Sequence, residues 1–261
     1  MAAAGGSAFQ KHLEGLITYS FQFADAKLMR GITPDTLIQI VRKLDEVAKG
    51  ENERALGQIE EGVKQGVKKP VACKAGCCYC CHQMLSPTIP EVLSISRHVS
   101  DAFSGEQRAA LLEAIGEYER YTQPFRGGKE AFYNRPCVFL DDRGFCSIYE
   151  FRPFKCRKFH STDLDACIAF VENRLEDFNA RLPGLTHPEF SEPYVALMKG
   201  FRIALHKHKL DHNFHDMLLS LRICLEEPSS GDRYCARENV FAVARKDVLA
   251  GAGELHRLGE S

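Results

Sequence analysis

Apolar positions recur at helical spacing through the N-terminal part of the chain, punctuated by glycine and proline. Residues 1–7 are small and are expected to lack fixed structure. Phe9 to Leu28 reads as a helix ended by Gly31. Thr33-Pro34-Asp35 starts another, with threonine as N-cap and proline in the first turn. Leu37, Ile40, Val41, Leu44 and Val47 then form a stripe. Gly50 is expected to break it, and Leu56, Ile59 and Val63 resume the spacing as far as Gly66 and Pro70. Residues 1–69 thus form an N-terminal helical segment, a hairpin or small bundle whose stripe is packing surface.

Further on, Pro90 to Phe103 reads as a short helix. Ser104 and Gln107 form a capping box for the next, through Leu111, Leu112, Ile115 and Tyr118. Residues 137–149 alternate around Asp142-Arg143-Gly144, the pattern of a β-hairpin with glycine where φ must be positive. Asp163 can cap a helix through Cys167, Val171, Leu175 and Phe178. Pro193 to about Glu226 reads as one long helix weakened at Gly200, with Leu210, Phe214, Met217, Leu218 and Leu221 on its apolar face. A loop at 227–232 precedes a final helix from about Ala236 to Leu249. The expected fold is mainly α: helical arms, 1–69 and 171–261, around a cysteine-rich core, 70–170, with one small β-hairpin.

Composition narrows the function classes. With 44% hydrophobic residues, 261 residues can bury a core without covalent staples. The 34 basic and 35 acidic residues leave a formal charge of −1, which favours neither nucleic acid nor an anionic membrane. The first ten residues lack a basic n-region and an apolar h-region. No apolar run approaches the ~18 residues of a membrane span, so a cytoplasmic location is expected. In that reducing setting eleven cysteines point to metal or redox chemistry rather than to disulfides.

Five of those cysteines fall within nine residues: Cys73, Cys77, Cys78, Cys80 and Cys81. If the segment is helical, Cys73, Cys77 and Cys80 or Cys81 share a face, and Cys78 points about 100° away as a spare thiol. Cys137, Cys146, Cys156 and Cys167 answer them from a separate segment. Four plus four thiols on distant stretches look like a metal site that closes a fold.

The motif Cys73-x2-Gly76-Cys77-x2-Cys80-Cys81, then Pro136-Cys137-x-Phe139-Leu140, Cys146-Ser-Ile-Tyr149-Glu-x-Arg152-Pro153-x-x-Cys156-Arg157 and Asp165-Ala-Cys167 resemble the YkgJ-like proteins. These are also called the CxxCxxCC family, and are named for zinc or iron chelation. The resemblance covers about residues 70–170 and leaves out Cys78, Cys224 and Cys235. It implies a chelating role for the eight matching cysteines. Some relatives resemble flagellin lysine N-methylases, which implies a metal- or cluster-dependent protein-modifying enzyme as the alternative.

Eight thiolates suit two zinc ions with four cysteines each, or an iron–sulfur cluster or iron site with four and the remainder free or on a second metal. The reading leans to an iron–sulfur cluster or iron site over zinc. Adjacent Cys80 and Cys81 are hard to aim at one ion, which favours two centres or a larger cluster. Arg152, Lys155, Arg157 and Lys158 beside Cys156 read as cations that offset thiolate charge. The rival is a nucleic-acid strap, with Phe151, Phe154 and Phe159 interleaved. His82 and His160 are candidate substitute ligands. His208, His212 and His215 with Asp211, in the 206–215 stretch, read as a solvated flank rather than a second site. Against an enzyme, the chain has no glycine-rich nucleotide loop and no nucleophile–base motif. A third class, an adaptor whose helical arms bind a protein, would show an exposed apolar patch on them.

Overall fold

The structure, a computed structural model, describes residues 3–122, 135–172 and 184–245. Nine helices are named here among them: α1 (Ala3–Leu28), α2 (Pro34–Lys64), α3 (Ile89–Ala102), α4 (Gly105–Thr122), α5 (Phe154–Lys158), α6 (Leu164–Val171), α7 (Pro188–Lys207), α8 (Met217–Glu226) and α9 (Ser230–Cys235). The mainly helical class is observed. The β-hairpin is not: among the described residues there is no strand, and residues 137–149 hold a single antiparallel bridge, Leu140 to Cys146. Leu140 N–H turns back to the Cys137 carbonyl and Tyr149 N–H to that of Cys146, so tight turns on both sides stop the ladder after one rung.

Capping places α2 as the sequence implies, and a Thr88–Glu91 capping box starts α3. Thr36 N–H donates to Thr33 Oγ1 at 3.1 Å, and Glu91 reaches back to the Thr88 N–H at 2.8 Å. Four expectations fail at helix starts and breaks. The first helix begins at Ala3, ahead of Phe9. Helix α2 runs unbroken through Gly50, because Leu44, Ala48, Ala55 and Ile59 on its inner face are buried. That burial outweighs the ~1 kcal/mol a helical glycine costs. The long C-terminal helix is interrupted not at Gly200 but at residues 208–216, where Lys209 adopts φ +59° and Asp216 caps a new helix through Leu218 N–H and Leu219 N–H. The final helix expected from Ala236 is replaced by α9 upstream and a 3-10 turn at Ala242–Ala244. Leu175 and Phe178, and residues 246–249 of the expected final helix, lie outside the described residues.

Helix α1 lies along α7, and α2 packs against α1, α3 and α7; α3 in turn covers α8. At Gly200 the two chains approach so closely that a side-chain carbon would run into the Ile17 carbonyl oxygen. Ser20 beside it donates its hydroxyl to the Leu197 carbonyl at 2.6 Å. One apolar cluster runs from Leu16 and Leu37 through Ile89, Phe139, Ile148 and Phe154 to Phe201 and Phe241. The cysteine-bearing segment is anchored on it: α5 packs on α7, and Phe139, Ile148 and Phe154 are buried.

Candidate metal centre

The first cysteine cluster is not an α-helix. Gly76 sits at φ +79° inside a turn closed by Cys77 N–H to Lys74 O at 3.0 Å, and only Tyr79–His82 winds further, as a 3-10 turn. The single-face register expected for Cys73, Cys77 and Cys80 or Cys81 is therefore replaced by a non-helical loop. Backbone hydrogen bonds fasten this loop to the distant segments: Cys137 N–H to Cys81 O at 2.8 Å and Ala72 N–H to Ser161 O at 2.7 Å. Helix α6, capped by Asp163 through Ala166 N–H at 3.1 Å, packs against the 3-10 turn and so brings Cys167 to it.

The thiols fall into two neighbourhoods. Burial pushes the Cys73 thiol up, and Cys77, Cys80 and Cys167 add to the rise; Cys167 is pushed up by burial and then by Cys77 and Cys80. On the other side Cys80, Cys81, Cys137, Cys146 and Cys156 line a small cavity of about 30 Å³ walled by Phe139, Ile148 and Phe159. There burial pushes Cys137 up to about 11 and Cys156 well above its usual range, with Cys137, Cys146 and Cys80 adding to the latter. Burial raises Cys146 as well. Cys80 stands in both groups. Its thiol is raised first by a hydrogen bond to Cys81 and next by burial.

Cys167 lies in the first turns of α6, where a helix N-terminus favours a thiolate, but desolvation prevails and its thiol is raised. Among the described residues no three His, Cys, Asp or Glu side chains are already drawn together tightly enough to hold an ion. The donor set nevertheless suits zinc or iron: clustered soft thiols, free of disulfides, in a partly buried apolar setting. Raised thiol pKa values mean that ligation by such a set releases protons.

The basic strap divides by role. Arg152 lines the cysteine cavity and opposes the rise at Cys80, Cys146 and Cys156, as a charge-compensating cation does. Arg157 is buried and turned inward: its Nε lies 2.7 Å from Asp45 Oδ1 on α2, and its fork donates to the carbonyls of Glu150 at 2.7 Å and Tyr149 at 3.3 Å. Burial holds Lys155 below the usual lysine range. Phe154 is buried too, so neither it nor Arg157 faces outward.

Residues 72–181 match the model of the CxxCxxCC family, described as a "putative zinc- or iron-chelating domain". No curated protein and no solved structure matches the chain. No helix among the described residues is long and apolar enough to cross a membrane.

The histidines lie apart from the thiol groups in their bonding. Both nitrogens of His160 are engaged, Nδ1 with Lys158 O at 3.2 Å and Nε2 accepting from the His187 N–H at 2.7 Å, so it has no lone pair left for a metal. His82 Nδ1 lies 3.3 Å from Cys78 O. The expected solvated histidine flank is overturned in part. His215 is fully buried, 3.2 Å from Asp211 Oδ2, and His208 joins Asp25 of α1 at 2.8 Å. The break at 208–216 folds these side chains inward. Cys224 and Cys235, outside the motif, are buried thiols that burial pushes up to about 12. What the sequence reading missed is the scaffold of the centre: the Asp45–Arg157 pair and a backbone contact between Gly76 and Gly144. Neither is signalled by local spacing.

Proposed function

We propose that the domain holds zinc or iron in two four-thiolate centres, one of Cys73, Cys77, Cys80 and Cys167, the other of Cys81, Cys137, Cys146 and Cys156. The observation that carries this reading is the position of the adjacent Cys80 and Cys81 between two thiol neighbourhoods. Cys80 borders both groups whereas Cys81 borders only the second, so each is assigned to its own centre. Eight thiols then divide into two complete tetrahedral sets with no open position, the arrangement of a structural site. Because the donors come from a loop, a turn and two helices far apart in sequence, ligation is coupled to folding. The metal-binding unit spans 70–170, and the segments 1–69 and 171–261 carry it.

The test is elemental analysis with an absorption spectrum on protein purified without oxygen. About two equivalents of zinc or iron per chain and no inorganic sulfide support two mononuclear centres. Iron with sulfide and a broad band near ~400 nm replaces them with an iron–sulfur centre on the same thiols. Protein that folds fully while holding no metal overturns the reading.

A further inference from the structure

Behind the cysteine core lies a larger cleft, about 270 Å³ in volume, walled by one face of α2, by α3 and by residues 150–154. Arg152 and Pro153 line both this cleft and the cysteine cavity, so the two stand back to back. The volume suits a small metabolite rather than a drug-sized ligand.

The carboxylates in its wall are already answered by the protein. Asp45 has Arg157 at 2.7 Å and Lys49 at 3.2 Å. Glu150 has Lys49 at 2.8 Å, and Glu46 has Lys43 at 2.7 Å. Glu91 accepts from Thr88 N–H, Thr88 Oγ1 and Phe154 N–H at 2.8, 2.7 and 2.9 Å. The guanidinium groups are not answered in kind: among the described residues neither Arg42 nor Arg152 has a carboxylate partner. Each is instead held over an aromatic face, Arg42 at 5.5 Å from the Phe151 centroid and Arg152 at 3.7 Å from that of Tyr149. Ser94 of α3 adds a hydroxyl that is 4% exposed and has no hydrogen-bond partner among the described residues.

What the cleft has unspent is therefore donors: two planar forks and a hydroxyl above an apolar floor of Val41, Phe151 and Pro153. A guanidinium fork matches the oxygens of a carboxylate or phosphate in pairs. We propose that this cleft binds a small molecule bearing a carboxylate or phosphate, its oxyanion held by Arg42 with Arg152 and Ser94, and its body resting on Phe151 and Pro153. Arg152 is shared with the thiol cavity, whereas Arg42 and Ser94 line only this cleft and carry the part of the site that does not depend on what the cysteine core holds.

Isothermal titration calorimetry on the full chain as purified tests this, with inorganic phosphate and with benzoate as probes at ionic strength fixed by chloride. The expected result is saturable binding of at least one probe with Kd near or below about 1 mM. Preference for phosphate assigns a phosphate-bearing ligand, and preference for benzoate a carboxylate. Arg42→Gln, at an exposed helical position, is expected to weaken the bound probe roughly tenfold, as the loss of one charge-assisted contact does. Lys64→Gln, exposed near the far end of the same helix and outside the cleft wall, is expected to leave binding unchanged. Arg152 is kept in both variants because it also faces the thiols. No saturable heat with either probe up to about 10 mM, an Arg42→Gln variant that binds like the parent, or equal weakening by both variants overturns the proposal.

Discussion

Gly76 and Gly144 touch backbone to backbone: a side-chain carbon at Gly144 would stand 2.7 Å from the Gly76 carbonyl oxygen. Both residues lie at positive φ, +79° and +82°, so each makes a turn that L side chains rarely adopt. The contact seats the 141–145 turn, with Cys137 and Cys146 on its two sides, against the loop that carries Cys73 and Cys77. Gly144→Ala is expected to cost about 1–3 kcal/mol from the backbone conformation and the clash together, and to lower bound metal. Denaturant unfolding and metal analysis check it; a variant with the parent's midpoint and metal content would show that the two turns adapt freely.

The two thiol sets carry their own prediction. Cys77→Ser is expected to reduce bound metal and lower the melting temperature. Cys78→Ser, which removes the one thiol of that loop outside both proposed sets, is expected to change neither. Loss of an equivalent of metal in Cys78→Ser would mean that the assignment of thiols to centres is wrong.

Asp45 and Arg157 tie helix α2 to the cysteine segment. Burial pushes the Asp45 carboxyl above the usual carboxylate range despite the arginine beside it, so the pair is held in a setting that disfavours charge. Arg157→Met is expected to destabilise by roughly 3 kcal/mol, the low end for a broken buried pair, because Lys49 remains 3.2 Å away. Asp45→Leu combined with Arg157→Met is expected to recover most of that loss. A double variant no more stable than Arg157→Met alone would place the arginine's worth in its carbonyl contacts instead.

Two helical glycines should respond with opposite signs. A side-chain carbon at Gly50 meets nothing within 4 Å, so Gly50→Ala is expected to stabilise by about 0.5–1 kcal/mol. Gly200→Ala would drive α7 off the Ile17 carbonyl of α1, and a loss of about 3 kcal/mol or more is expected. Thermal melts of the two variants decide it, and equal shifts would contradict the close approach of α1 and α7.

His160 gives the fold a dependence on pH. Burial holds its imidazole below the ordinary value of 6.5, and Nε2 accepts a hydrogen bond that protonation would remove. The folded state then binds fewer protons than the unfolded state. The histidine's contribution is full above about pH 6.5 and is lost as pH falls through that value towards the lower folded one. His160→Gln keeps a donor and an acceptor but does not titrate. The stability gap between parent and variant, measured by urea midpoints at about pH 8 and pH 5.5, is expected to narrow or reverse on acidification. A gap that stays constant would remove His160 from the pH response.

What could be read in the chain, and what could not, follows the range of the forces involved. Thr33, Ser104 and Asp163 announce their helices because a cap acts over three residues, and the stripe from Leu37 to Val47 announces its buried face through the helical repeat. The cysteine spacing likewise announced a chelating domain, since thiol density and flanking motif are local properties. Gly50 and Gly200 read as weak points because the sequence shows a missing side chain, but not the buried inner face that carries α2 through Gly50 nor helix α1 packed across Gly200. The hairpin was misread because alternation at 137–149 cannot reveal turns that close after one rung.

The amino-acid sequence by itself determined a mainly helical chain with capped helices and a thiol-rich middle that matches a zinc- or iron-chelating domain. Only the tertiary structure decided that Cys80 belongs beside two groups of thiols, that Arg157 turns away from them to Asp45, and that Arg42 and Arg152 share a cleft with no carboxylate partner among the described residues. Those relationships join residues whose separation along the chain carries no periodic signal. They arise from close packing and from the need to satisfy buried charge, which act through space rather than along the backbone.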